Sequence, residues 1–83
     1  MKKVILPVEI RPLAEGGFLA VCEAIQGCHA EGGTIAEALE NLEDAAKNLL
    51  ELRKTDGLSL PPGMDEYVPG APVRAQVLVS LPE

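Results

Sequence analysis

Residues 27–53, GCHAEGGTIAEALENLEDAAKNLLELR, decide the fold of this chain. They read as a turn, a helix start and one long amphipathic helix. Gly32 and Gly33 are expected to supply backbone conformations closed to residues with a Cβ. Thr34 follows as an N-cap whose hydroxyl accepts from an otherwise unpaired amide. Glu37 completes the capping box Thr34-Ile35-Ala36-Glu37. Ile35, Ala38, Leu39, Leu42, Ala45, Ala46 and Leu49 then recur at the three-and-four spacing of an apolar stripe, so one side of the helix must rest on an apolar surface. Glu37, Glu40, Glu43 and Asp44 crowd the first half, whereas Lys47, Arg53 and Lys54 gather toward the end, the order the helix dipole favours. Glu43 and Lys47 stand one turn apart and are expected to pair. A continuous helix over residues 34–53 would be roughly 30 Å long, enough to cross a small sheet diagonally.

Outward from the helix, the flanking segments read as strands. Residues 3–11, KVILPVEIR, alternate Val4, Leu6, Val8 and Ile10 against Ile5, Glu9 and Arg11. Pro7 cannot donate to a ladder and points to an edge strand or a bulge. Residues 12–17, PLAEGG, are turn chemistry, with Gly16 and Gly17 providing positive φ. Residues 18–25, FLAVCEAI, form a second strand, antiparallel to the first because the connection is too short for a crossover. Phe18, Ala20, Cys22 and Ala24 share one face, and their small size would let the helix approach closely. Residues 28–31 are a candidate third strand. After the helix, Gly57 stands where a C-terminal stop is expected. Residues 55–72 are rich in proline and glycine and read as a long loop that carries a task or stays mobile. Residues 73–81, VRAQVLVSL, return to strand patterning. The fold class is therefore α+β: a two-layer β-β-β-α-β arrangement with one long helix on a mostly antiparallel sheet.

A chain of 83 residues holds a single domain, here 1–83. With 47% hydrophobic residues it is not a disordered tail. One Phe, one Tyr and no Trp argue against a base-stacking platform, and a net charge of −6 argues against phosphate or anionic-lipid binding. Such a surface steers toward a basic partner. No stretch reaches the roughly 18 apolar residues of a membrane span, and Met1-Lys2-Lys3 leads into an alternating segment rather than a signal-peptide core. The expected location is cytoplasmic. Ile5, Leu19, Val21, Ile25 and Leu78 fall on the sheet face away from the helix; either the long loop folds over them or a second copy does, and the favoured expectation is a homo-oligomer, a dimer or tetramer.

Catalytic and metal chemistry finds little support. Cys22 and Cys28 are the only thiols; on an extended strand they would lie about 20 Å apart, so a disulfide would need a sharp reversal between them. His29 beside Cys28 is the one nucleophile-base suspect, but neighbours on a strand point to opposite faces. Cys28, His29 and Glu31 lack the ligand spacing of a closed zinc site, and no glycine-rich phosphate motif is present. The reading is a non-enzyme with no cofactor and no metal. Candidate partner contacts are Glu37, Glu40, Glu43 and Asp44 on the helix, and Asp65, Glu66 and Tyr67 in the long loop.

The order Gly16-Gly17-Phe18, Ile25-Gln26-Gly27-Cys28, Glu31-Gly32-Gly33-Thr34, then Glu37-Ala38 and Asn41, with Leu60-Pro61-Pro62 beyond the helix, resembles the HicB-like antitoxin family and its stand-alone UPF0150-type members. Gly27, Cys28, Gly32, Thr34, Glu37 and Ala38 carry the resemblance. Gln26 and Gly33 depart from it, where the family usually has Pro and Asp. The resemblance implies a partial RNase H-like fold and an antitoxin that binds a small basic HicA-type ribonuclease, which cleaves mRNA. Many HicB proteins also carry a C-terminal DNA-binding segment; here the residues from Val73 read as a strand with Arg74 as their one basic residue, so direct DNA binding is not expected. The competing reading is a stand-alone oligomeric protein of the same fold without a toxin partner.

Overall fold

The computed structural model describes residues 3–82, so the basic start at Met1 and Lys2 lies outside the described residues. Among the described residues there are five short strands and one helix: β1 (Val4–Ile5), β2 (Glu9–Pro12), β3 (Phe18–Val21), β4 (His29–Gly32), α1 (Ile35–Thr55) and β5 (Asp65–Glu66). β2, β3 and β4 form an antiparallel sheet in that order, and β1 pairs antiparallel with β5. The helix packs on β4 and β3, giving the two-layer α+β architecture.

The helix begins and ends as its sequence dictates. Thr34 is the N-cap; its hydroxyl accepts from the Glu37 amide at 3.1 Å, and the Glu37 carboxylate accepts from the Gly33 amide at 3.2 Å. At the other end Gly57 has φ +74° and donates to Lys54 O, while Leu58 donates to Arg53 O at 2.8 Å. These two bonds make a Schellman stop. The Arg53 guanidinium then donates to Ser59 O at 2.8 and 3.1 Å, tying the following segment to the last turn.

The core is made of small side chains. Ala20, Cys22, Ile25, Cys28, Ala38, Leu42, Ala46 and Met64 are buried, with Val4, Leu6, Ile10, Phe18 and Leu49 packed around them. Ala20 of β3 and Ala38 of α1 are both fully buried, so the small face of the second strand does meet the helix.

Several local expectations change. The first strand is split: residues 6–8 separate β1 from β2, and each half pairs with a different strand. The second strand stops at Val21. Cys22 O accepts from Ile25 N and Ile25 O from Cys28 N, a turn that carries Ile25 into the core rather than onto the far face. The strand that follows the helix is Asp65–Glu66, inside the segment read as loop, whereas residues 73–81 form no strand and are exposed. Gly32 and Gly33 do not take positive φ, unlike Gly16 (+101°) and Gly17 (+83°) in the β2–β3 turn. Gly32 is required for space: a Cβ there would lie 2.3 Å from the Ala38 amide nitrogen and 2.7 Å from Glu37 C.

This separates two adjacent glycines experimentally. Gly32→Ala should cost about 1–3 kcal/mol, the usual range for overpacking. Gly33→Ala, whose Cβ would meet nothing nearer than Glu37 Oε2 at 3.7 Å, should stay within about 0.5 kcal/mol. Urea denaturation of both variants checks this, and equal losses would refute the spatial argument.

Candidate functional site

Because β4 and β3 take the apolar side of α1, its other side is left to water. Glu37, Glu40, Glu43 and Asp44 are all exposed there. Glu37, Glu40 and Asp44 follow the i, i+3, i+7 spacing that lines one face, and Glu43 flanks them. Their charge is not neutralised within the helix: among the described residues no ion pair within 4.0 Å joins Glu43 and Lys47, contrary to the expected pairing. The ion pairs present lie elsewhere, from Arg11 to Glu9 and, at 3.2 Å, to Glu23.

The helix start opens into a shallow depression of about 440 Å³ against the β2–β3 turn. Glu15, Glu31 and Glu37 lie around it, with Gly16, Gly17 and Gly32 forming a floor without side chains. Asn41 donates to Glu31 O at 2.8 Å, pinning β4 to the second turn of the helix. Sequence reasoning missed Glu15 and Glu31 as neighbours of the helix acids. The capping box predicted the helix start, but only the hairpin brings the β2–β3 turn beside it. The carboxylates do not converge closely: among the described residues no three His, Cys, Asp or Glu side chains are grouped to hold a metal ion.

Asp65 and Glu66 belong to a different part of the surface. They are exposed, but they are strand residues paired with Ile5 and Val4 rather than parts of a free loop. Tyr67 is half-buried, and its amide donates to Lys3 O at 2.6 Å. β5 packs chiefly on β1, so these three residues are not gathered with the helix acids. Of the motif positions, Gly27 has φ +76° in the turn before β4, Cys28 and Ala38 are buried, and Thr34 and Glu37 are committed to the helix cap.

Cys28 and His29 part company. Cys28 is buried, and His29, the first residue of β4, is exposed. Burial is the chief cause pushing the Cys28 thiol above its ordinary pKa, with the nearby Cys22 adding to it. A neutral thiol in the core is a poor nucleophile. The sharp reversal that a disulfide would need is present: Cys22 N donates to Cys28 O at 3.0 Å across the turn, so the extended-strand separation does not apply. Both thiols are nevertheless free.

No protein-family model matches the chain. Curated proteins do. The UPF0150 protein ssl0259 of Synechocystis sp. (strain ATCC 27184 / PCC 6803 / Kazusa) is 44% identical over 55 residues, spanning 66% of this chain and 75% of the relative. The chain belongs to the UPF0150 family. Two further UPF0150 proteins of the same organism agree: ssl0738 is 37% identical over 54 residues, spanning 65% of this chain and 75% of its own length, and ssr1765 is 38% identical over 37 residues, spanning 45% and 47%. Among the described residues of this UPF0150 chain, no helix is long and apolar enough to cross a membrane.

The raised Cys28 pKa fixes a direction for alkaline stability. Above about pH 8.5 a thiol in the unfolded chain loses its proton while the folded one keeps it. The stabilising contribution is therefore complete below that pH and is lost as pH rises toward the folded value. Denaturation midpoints measured at pH 7 and pH 10 should fall more steeply for the native chain than for Cys28→Ala; equal slopes would contradict this.

Proposed function

We propose that this UPF0150 protein is a HicB-like antitoxin module that binds and neutralises a small basic HicA-type mRNA-cleaving toxin in the cytoplasm. The observation that carries the reading is the exposed acidic face of α1, Glu37, Glu40, Glu43 and Asp44, continued by Glu15 and Glu31 around the adjoining depression. A ribonuclease that grips RNA presents a basic cleft, and a rigid row of carboxylates is complementary to it in charge. The helix suits this task because its packing on the sheet fixes the row in place before any encounter, which lowers the ordering cost of binding. The neighbouring Gly16, which has nothing within 4 Å of where a Cβ would stand, leaves room beside the acids for a long basic side chain to approach the backbone. Asp65 and Glu66, on another element, would form a second contact only for a partner large enough to reach both.

Mixing the purified chain with a small basic ribonuclease of the HicA type tests the proposal. The expected result is a stable complex that protects RNA from cleavage and weakens as salt is raised, since charges at a wet rim are screened. Glu40→Lys with Asp44→Lys should weaken the complex by at least about tenfold, about 1.4 kcal/mol, without altering the circular dichroism of the free protein. A chain that neither binds such ribonucleases nor protects RNA would overturn the reading and leave the stand-alone oligomeric alternative in its place.

A further inference from the structure

The hydrogen-bond phase of the first strand exposes an edge. In an antiparallel ladder, alternate residues turn their N–H and C=O toward the partner and the residues between turn theirs away. Leu13 N donates to Gly17 O at 3.0 Å in the register that pairs Arg11 with Leu19 and Glu9 with Val21. Glu9, Arg11 and Leu13 therefore face β3. In the other sheet Tyr67 N donates to Lys3 O, in the register that pairs Ile5 with Asp65, so Lys3 and Ile5 face β5. All five are odd-numbered. Val4, Leu6 and Ile10 pack together against the core, so the side-chain parity runs unbroken through Pro7. It follows that β5 and β3 lie end to end on the same side of one long bent strand. Pro7 falls at the gap between them, where a missing N–H costs nothing.

On the opposite side, Val4, Leu6, Val8 and Ile10 turn four N–H groups and four carbonyls outward along about 25 Å. The other outer edge is treated differently. β4 is blunted, because Glu31 O accepts from the Asn41 side chain and α1 lies over it. A long unblunted edge is a template for another strand.

Among the described residues, one segment with strand patterning is uncommitted. Residues 73–81 run on from β5 without forming secondary structure, and Val77, Leu78, Val79 and Leu81 are 83%, 75%, 67% and 82% exposed. The segment follows β5, on the side of β1 away from the open edge, and every residue from 73 to 81 is exposed. We propose that residues 73–81 of one copy add as a strand to the edge formed by Val4, Leu6, Val8 and Ile10 of a second copy, in a reciprocal two-fold exchange. Nine residues span about 30 Å, enough to cover the whole open edge. Closed two-fold exchange satisfies both edges and removes both apolar arms from water.

Light scattering on the eluting protein, together with amide exchange, tests this. The full chain should run at twice its 8.8 kDa, with slow exchange at the Val4, Leu6, Val8 and Ile10 amides. Val77→Asp with Val79→Asp alters only exposed arm positions, and Val8→Pro removes one outward N–H at an exposed site; both variants should be folded monomers that lose this protection. A monomeric native chain overturns the proposal. So does a dimer that persists in either variant, or one whose Val8 and Ile10 amides exchange freely.

Discussion

The structure depends on how closely the start of α1 approaches the sheet. Gly32 ends β4 with no room for a Cβ: the Ala38 amide nitrogen would lie 2.3 Å from such an atom. Ala20 and Ala38 are buried to the last square ångström near this contact, and Leu42 and Ala46 continue it along the helix. Small side chains are what make the approach possible, because helix and sheet backbones close together only where little stands between them. The same choice limits the hydrophobic gain. Three alanines and two cysteines among the buried residues remove less apolar surface from water than leucines would, and an 83-residue chain has little else to bury. Local devices therefore matter: the capping box, the Schellman stop and the anchors from Asn41 and Arg53 each remove an unpaired backbone group or fix a connection.

The orientation of the acidic face follows from that contact. Once Ala38, Leu42 and Ala46 are turned inward, the 3.6-residue period leaves Glu37, Glu40 and Asp44 no position except the outside. Their charge is favourable near the helix N-terminus in any case, so the arrangement needs no partner to be stable. Function can thus be added to a scaffold without a folding penalty. The thiols show the opposite relation. Cys22 and Cys28 are core residues, and burial that suits packing also suppresses reactivity, so the positions most suggestive of chemistry in the sequence serve as small hydrophobes.

What was legible in the sequence was the helix and the order of elements, because capping, periodicity and the Gly57 stop are local signals that agree with one another. Gly32 was singled out for the wrong reason: a glycine pair looks like conformational freedom, and only the folded contact with Ala38 reveals a spatial demand. The helix acids were found from spacing, but Glu15 and Glu31 were not, since a hairpin brings them near from distant positions. The alternation in residues 3–11 gave an inward face that holds for Val4, Leu6 and Ile10 but not for the exposed Val8, and it carries no record that the partner changes midway. Likewise Asp65 and Glu66 have poor strand propensity and were read as loop. They pair because Tyr67 and Met64 anchor the segment on either side, one to Lys3 and the other in the core.

Residues 73–81 present the reverse case, where strand patterning is strong and the strand is absent. Period-two alternation is selected by a surface on which the side chains pack, and the protomer supplies no such surface for this segment. A polar linker would serve if the segment only had to remain in water. Instead it carries Val77, Val79 and Leu81 on one side and Leu78 on the other, as a strand enclosed on both faces would. The protomer also leaves an open edge of comparable length while using Asn41 to close the edge at β4. An unpaired strand and an unpaired edge within one small chain are two halves of a single hydrogen-bonding requirement, and each is explained by the other.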